Sequence, residues 1–179
     1  MKTRIIIINR VLISMSLLLA GTQTHGFQSA DWVSVSPLGS GFSVRMPAKP
    51  VEEVRPSDDL TTHLYRLATE NALYIVAYGD YAPSLRIRKD EELAANRDRF
   101  LQSLDAQLIN SKQITFEGHD GLEFTGENDQ ASFRSRLFIF GTRFHQIAIA
   151  VFKGREATAN SNRFFESFRF TGTESTAKP

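Results

Sequence analysis

Apolar and polar positions alternate in short runs along most of this chain, and turn residues cut the runs apart. Asp31 to Val35 alternates and stops at Ser36-Pro37, which predicts a short first strand. Leu38-Gly39-Ser40-Gly41 reads as a turn. Phe42 to Met46 alternates again and ends at Pro47. Pro47 and Pro50 cannot donate to a ladder, so Val51 to Arg55 is expected as a short edge strand. Leu60 to Ala68 and Leu73 to Tyr78 predict a hairpin around Glu70-Asn71, followed by a loop over Asp80 to Ser84. The period then changes. Leu93, Arg97, Phe100, Leu101, Leu104 and Leu108 recur at helical spacing, and Asp90 fits an N-cap with Glu91 and Glu92 in the first turn. A helix over Asp90 to Ile109 is expected, with Arg99, Gln102 and Asp105 on its solvated side.

Beyond the helix, Ile114 to Gly118 and Leu122 to Gly126 predict strands around a His119-Asp120-Gly121 turn, with Phe116 opposite Phe124 and Glu117 opposite Glu123. Phe133 to Phe140 and Phe144 to Phe152 form the strongest hairpin, closed by Gly141-Thr142. Both strands carry consecutive apolar residues, as in Leu137-Phe138-Ile139-Phe140, so both of their faces should be covered. Ala157, Ser161, Phe164, Phe165 and Phe168 lie on one side of a second helix, and Phe168-Arg169-Phe170 closes as a last short strand. The pattern has strands in antiparallel succession with two helices and no repeat or linker, which predicts one α+β domain over residues 27–171 and a frayed tail over 172–179.

The first residues follow a different rule. Lys2 and Arg4 precede an apolar stretch in which Asn9 and Arg10 interrupt, and Val11 to Gly21 is too short to span a bilayer. Thr24-His25-Gly26 supplies small residues where a signal peptidase cuts. Residues 1–26 therefore read as an export signal cleaved after Gly26, with Gly21 as the alternative cut and an uncleaved anchor disfavoured by Arg10. An extracytoplasmic chain with no membrane span after cleavage is expected.

This changes the charge argument. The chain carries 21 Lys+Arg and 20 Asp+Glu. Removing Lys2, Arg4 and Arg10 leaves eighteen basic side chains against the same acids, a formal −2, so nucleic acid is not an expected partner. The absence of Cys excludes disulfides, thiolate zinc sites, Cys nucleophiles, iron–sulfur clusters and a lipidated N-terminal Cys. At 179 residues, one core is affordable without such staples.

Catalytic motifs are missing: there is no Gly-x-Ser-x-Gly, His-Glu-x-x-His, P-loop or Gly-x-Gly-x-x-Gly string. Adjacent carboxylates such as Glu52-Glu53 and Asp58-Asp59 point to opposite faces of a strand and make poor acid/base pairs. His119 reads as a turn residue. His63 reads as an exposed strand residue, with no second imidazole at ligand spacing. No metal site and no cofactor are expected.

The order of pieces and several strings resemble the Mog1/PsbP-like fold, and within it secreted bacterial domains with no assigned activity. The strings are Gly41-Phe42-Ser43-Val44-Arg45-Met46-Pro47-Ala48-Lys49-Pro50, Ile114-Thr115-Phe116-Glu117-Gly118-His119-Asp120-Gly121-Leu122-Glu123, Arg134-Ser135-Arg136-Leu137-Phe138-Ile139-Phe140-Gly141 with Phe144-His145-Gln146-Ile147, and Arg163-Phe164-Phe165-Glu166-Ser167-Phe168-Arg169. The resemblance implies an antiparallel sheet flanked by helices, an α/β/α sandwich. The wider fold includes a Ran-binding nuclear factor and an extrinsic protein of photosystem II that supports ion retention. Neither has residues that match here, so no site is carried over.

One candidate site emerges from register alone. With Gly141-Thr142 as a two-residue loop, Phe140 pairs with Arg143, Phe138 with His145, Arg136 with Ile147 and Arg134 with Ile149. Arg134, Arg136, Arg143 and His145 then share one face with aromatic and aliphatic residues, and Arg136 lies diagonal to His145. Three guanidinium groups and an imidazole suit a carboxylate or phosphate. Acids from the covering layer would instead make them structural. The function expected is a non-catalytic binding or assembly module whose partner is a protein or a small anionic ligand. Two alternatives are a small-ligand or metal-binding accessory protein of an envelope or redox complex, and a hydrolase of unrecognised geometry.

Overall fold

The computed structural model describes residues 32–171. The predicted signal over 1–26, its cut after Gly26 or Gly21, and the tail over 172–179 lie outside the described residues. Ten strands and two helices follow one another among the described residues. They are β1 (Val33–Val35), β2 (Phe42–Met46), β3 (Val51–Arg55), β4 (Leu60–Ala68), β5 (Ala72–Tyr81), α1 (Lys89–Ser103), β6 (Gln107–Phe116), β7 (His119–Glu127), β8 (Ala131–Phe140), β9 (Arg143–Phe152), α2 (Thr158–Ser167) and β10 (Arg169–Phe170). The architecture is α+β with antiparallel sheets. The large sheet runs β3-β4-β5-β9-β8-β7-β6, and a small sheet runs β1-β2-β10.

The central strands β8 and β9 are buried on both faces, as their consecutive apolar residues require. One face, with Leu137, Ile139 and Phe144, packs against Leu93 and Leu101 of α1. The opposite face, with Ile147 and Ile149, packs against Phe42, Val44 and Met46 of β2 and Phe164 and Phe165 of α2. The second covering layer is therefore a small sheet and a helix together rather than helices alone. Phe164, Phe165 and Phe168 are all at most 2% exposed. Burial of a side chain that size contributes roughly 1.5–3 kcal/mol.

The β8–β9 register is the expected one: Phe140 faces Arg143, Phe138 faces His145, Arg136 faces Ile147 and Arg134 faces Ile149. Gly141 takes φ +56, the left-handed value that the first position of a type II′ turn needs. The β4–β5 hairpin also follows the sequence, except that β5 runs on through Asp80 to Tyr81.

Three expectations are corrected. The helix starts at Lys89 with Arg88 as a cap position lacking a side-chain bond, so Asp90 is not the cap; it sits in the first turn with Glu91 and Glu92, where the helix dipole favours acids. The helix stops at Ser103 rather than Ile109. Asp105 turns left-handed at φ +50, and the N–H groups of Asp105 and Ala106 donate back to Gln102 O and Leu101 O at 3.2 and 3.0 Å. That is a Schellman closure with Asp where Gly is usual. Leu108 and Ile109 then begin β6 and are 43% and 60% exposed. Finally, the β6–β7 turn is Glu117-Gly118, both left-handed at φ +49 and +78, and not His119-Asp120-Gly121. This two-residue turn pairs Phe116 with His119, Lys112 with Glu123 and Ser111 with Phe124. No helix among the described residues is long and apolar enough to cross a membrane.

Candidate functional site

The four predicted site residues lie on one face of the large sheet, but the structure divides them into two clusters. Arg134 and Arg136 stand two apart on β8 and so project from the same side. Glu123 of β7 is directly opposite Arg136, and Lys112 of β6 is directly opposite Glu123. The row closes on the carboxylate. Arg134 Nη2 and Arg136 Nε both donate to Glu123 Oε2, at 2.9 and 2.7 Å, and Lys112 Nζ lies 3.1 Å from Oε1. Both guanidinium groups lie over the Phe165 ring, 4.3 and 5.2 Å from its centroid. Burial pushes the Glu123 carboxyl up, but the hydrogen bonds from Arg136, Arg134 and Lys112 outweigh it and hold it down at about 2.

The charge here does not balance. Three cations surround one carboxylate, and both arginines converge on the same oxygen through one nitrogen each. Arg134 Nε and Nη1 and Arg136 Nη1 and Nη2 have no protein acceptor among the described residues. The two side chains are 30% and 21% exposed, so these nitrogens can reach an incoming oxyanion.

Arg143 and His145 form the second cluster. Arg143 opens β9 opposite Asp80 of β5. Its Nε and Nη2 donate to the two carboxylate oxygens of Asp80 at 2.7 and 2.6 Å, and Nη1 donates to the Gly39 carbonyl. Every guanidinium nitrogen is thus engaged. His145 is 2% exposed. Its Nε2 is 2.9 Å from the Ser40 carbonyl and donates to it, while Nδ1 is buried without a partner. Phe42, Phe140 and Phe170 surround the ring. Burial drives the His145 pKa down to about 4; the Ser40 carbonyl opposes that shift and Arg143 reinforces it. The imidazole is neutral near pH 7.

Sequence reasoning missed Glu123, Lys112 and Asp80. The acids come from neighbouring strands of the same sheet, not from a covering layer. The sequence did hold one signal: Glu117-Gly118 admits a two-residue left-handed turn, although Asp120-Gly121 has the more favoured turn residues, and that turn sets Lys112 opposite Glu123.

The other histidines sit elsewhere. His63 stacks on Tyr78, with ring centroids 4.6 Å apart, and Nδ1 lies 3.4 Å from Glu52. His119 begins β7, not a turn, and lies against Phe140 at 4.1 Å. Among the described residues no three His, Asp or Glu side chains gather as a metal site. A cavity of about 550 Å³ opens between the start of α1 and the β6–β7 hairpin, beside Lys89, Asp90, Gln113 and Asp120. A second, of about 290 Å³, lies beside Arg143, Leu38 and Gly41. Neither includes Arg134 or Arg136.

No protein-family model matches this chain, and no curated protein sequence matches it either. Its fold does match a solved structure. The solution structure of cyanobacterial PsbP (CyanoP) from Synechocystis sp. PCC 6803 aligns with a TM-score of 0.57 over 84% of this chain and 98% of that one, at 12% identity. A crystal structure from Bacteroides thetaiotaomicron VPI-5482 aligns with a TM-score of 0.40, at 13% identity, over 85% of this chain and 52% of that one. The fold is PsbP/Mog1-like, as the strings in the sequence implied. At 12% identity the likeness carries no residue roles.

Proposed function

We propose that this chain is an extracytoplasmic, non-catalytic binding module of one domain, its large sheet covered by α1 on one face and by α2 with the small sheet on the other, whose Arg134–Arg136 pair receives an anionic group of its partner. The observation that carries the reading is the unbalanced cluster: two guanidinium groups share one carboxylate oxygen and keep donors turned toward solvent. An oxyanion bridging them would make the paired, charge-assisted bonds that guanidinium geometry favours. The Phe165 ring fixes both planes in advance, which lowers the ordering cost of binding. Two features speak for binding rather than turnover. His145 is neutral, shut among aromatic rings and hydrogen-bonded to a main-chain carbonyl, so it does not face the arginines as a base. The nearest acid, Glu123, is held as an ion by three cations and cannot shuttle a proton near neutral pH.

The predicted export signal supports placing the domain outside the cytoplasm. Intact mass of material recovered from outside the cytoplasm should begin near Phe27.

The test of the anion reading is a titration of the folded domain with phosphate, sulfate and succinate, followed by calorimetry and by the guanidinium NMR signals. Wild type should bind at least one of them with shifts at Arg134 and Arg136. The Arg134→Ala, Arg136→Ala double variant should keep its fold and lose the binding. Equal binding by the variant removes the site.

A further inference from the structure

We propose that the free edge of β6 accepts an extended acidic segment of a partner protein as an added strand. β6 is the outer strand of the large sheet on this side. Its backbone presentation follows from the turn. In a two-residue hairpin the pair that flanks the turn, Phe116 and His119, is hydrogen-bonded, and pairing then alternates along the ladder. Lys112 and Ile114 therefore direct their N–H and C=O groups at β7. Ser111, Gln113 and Thr115 direct theirs away from the sheet. The ladder is regular from Asn110 to Phe116 and shifts only between Leu108 and Asn110, so these three residues form a continuous outward row.

Most natural edges are blunted by proline, charge or a short strand. This one is ten residues long, has no proline, and carries Lys112 as its only charged side chain. Lys112 is 59% exposed. Its carboxylate partner Glu123 already accepts from two guanidinium groups, so Lys112 is the surplus cation. A strand laid on this edge places every second side chain on the face that Lys112, Arg134 and Arg136 make positive, and acids there meet complementary charge. The same charge disfavours a second copy of this chain. Antiparallel self-pairing centred on Gln113 would set the two Lys112 side chains diagonally together and bring two positive faces side by side. Strand addition takes its affinity from main-chain bonds and its selectivity from alternate side chains, which is the division this edge offers.

The inference shares with the proposed function only the reading of the chain as a binding module. It does not need the oxyanion site at Arg134 and Arg136. The probe is an acetylated, amidated octapeptide alternating threonine and glutamate. Its controls are the same peptide with lysine for glutamate, and the acidic peptide N-methylated at every second amide. Amide hydrogen exchange of the folded domain gives the readout. The acidic peptide should slow exchange at Ser111, Gln113 and Thr115 by about tenfold or more at saturation, while the lysine peptide binds about tenfold more weakly and the N-methylated one gives no protection. Lys112→Ala should weaken the acidic peptide several-fold, and the Arg134→Ala, Arg136→Ala variant should weaken it as well, because Glu123 then neutralises Lys112, while the three β6 amides stay protected at saturating peptide. Unchanged exchange at the three amides, equal binding of both charges, or protection that rises with protein concentration alone would overturn the proposal. Peptide binding that vanishes in the double arginine variant and never protects β6 would also overturn it while leaving the oxyanion site standing. Loss of oxyanion binding with the β6 protection intact would do the reverse.

Discussion

Two basic clusters occupy one face of the large sheet and treat their charge in opposite ways. Arg143 meets Asp80 one to one, and all three of its nitrogens are engaged. Arg134 and Arg136 share a single acid with Lys112 and keep donors free. Residue type is the same in both places. What differs is the ratio of cations to carboxylates on adjoining strands, and that ratio separates a clamp from a receptor. The difference also shows in what lies behind each cluster. Behind Arg143 sits a buried neutral imidazole, so the clamp closes over a position that tolerates no added charge. Behind Arg134 and Arg136 sits a phenyl ring, which holds two cations without neutralising them.

The largest way to break this contrast is to remove the ring. Phe165→Ala should destabilise the domain by about 3–5 kcal/mol. That should lower the thermal midpoint by roughly 10 °C or more. A calorimetric scan decides it; a midpoint within a few degrees of wild type means α2 does not seal the core.

Acid sharpens the contrast next. His145 has its folded pKa below its usual value, so the neutral ring favours the native state. Its contribution is complete above about pH 6.5 and is lost as pH falls toward the folded value of about 4. A shift of that size corresponds to about 3 kcal/mol. Glu123 also has a lowered pKa, but there the charged form is the native one. Its contribution is complete above about pH 4.5 and is lost as pH falls toward 2. The two clusters thus fail in successive windows, the clamp region first. Urea midpoints at pH 7, 5 and 4 should fall through the first window, and His145→Gln should flatten that fall. A wild-type midpoint that is level from pH 7 to 5 contradicts the neutral buried ring.

The smallest effect is expected at the clamp itself. Asp80 and Arg143 are 50% and 33% exposed. Asp80→Asn should therefore cost at most about 1 kcal/mol. It should also lower the His145 pKa further, because the Asp80 carboxylate raises it. NMR titration of the His145 ring reads this directly, and an upward shift would refute the assignment.

The register of β8 and β9 was legible in the sequence because Gly141-Thr142 fits one turn and the strands carry a clear period. The face shared by Arg134, Arg136, Arg143 and His145 followed from that register alone. Their partners did not follow. Asp80 meets Arg143 only because β5 lies beside β9, a pairing between strands 63 residues apart that no local pattern encodes. Glu123 was set against Glu117 because His119-Asp120-Gly121 has better turn chemistry than Glu117-Gly118. The structure takes the poorer turn, and that register places Lys112 against the carboxylate. The end of α1 was obscured for a related reason. Leu104 and Leu108 keep the helical period, yet Asp105 adopts the left-handed conformation that sequence reading reserves for Gly.

The small sheet joins distant parts of the chain: β2 pairs with β10, and the Arg45 amide donates to a Ser167 hydroxyl 122 positions away. Closing a loop of that length costs about 4 kcal/mol of chain entropy before any contact is made. The large sheet is assembled from two runs of consecutive hairpins, β3-β4-β5 and β6-β7-β8-β9, and only the β5–β9 pairing that joins them needs a comparable closure. In time as well as in space, therefore, the molecule has an order. The hairpins can form early, while β2 waits for the arrival of β10 to hold it in place. A chain passing through a narrow channel with its N-terminus leading would keep its first strands uncommitted until almost everything else had followed them, and would lock only on the far side.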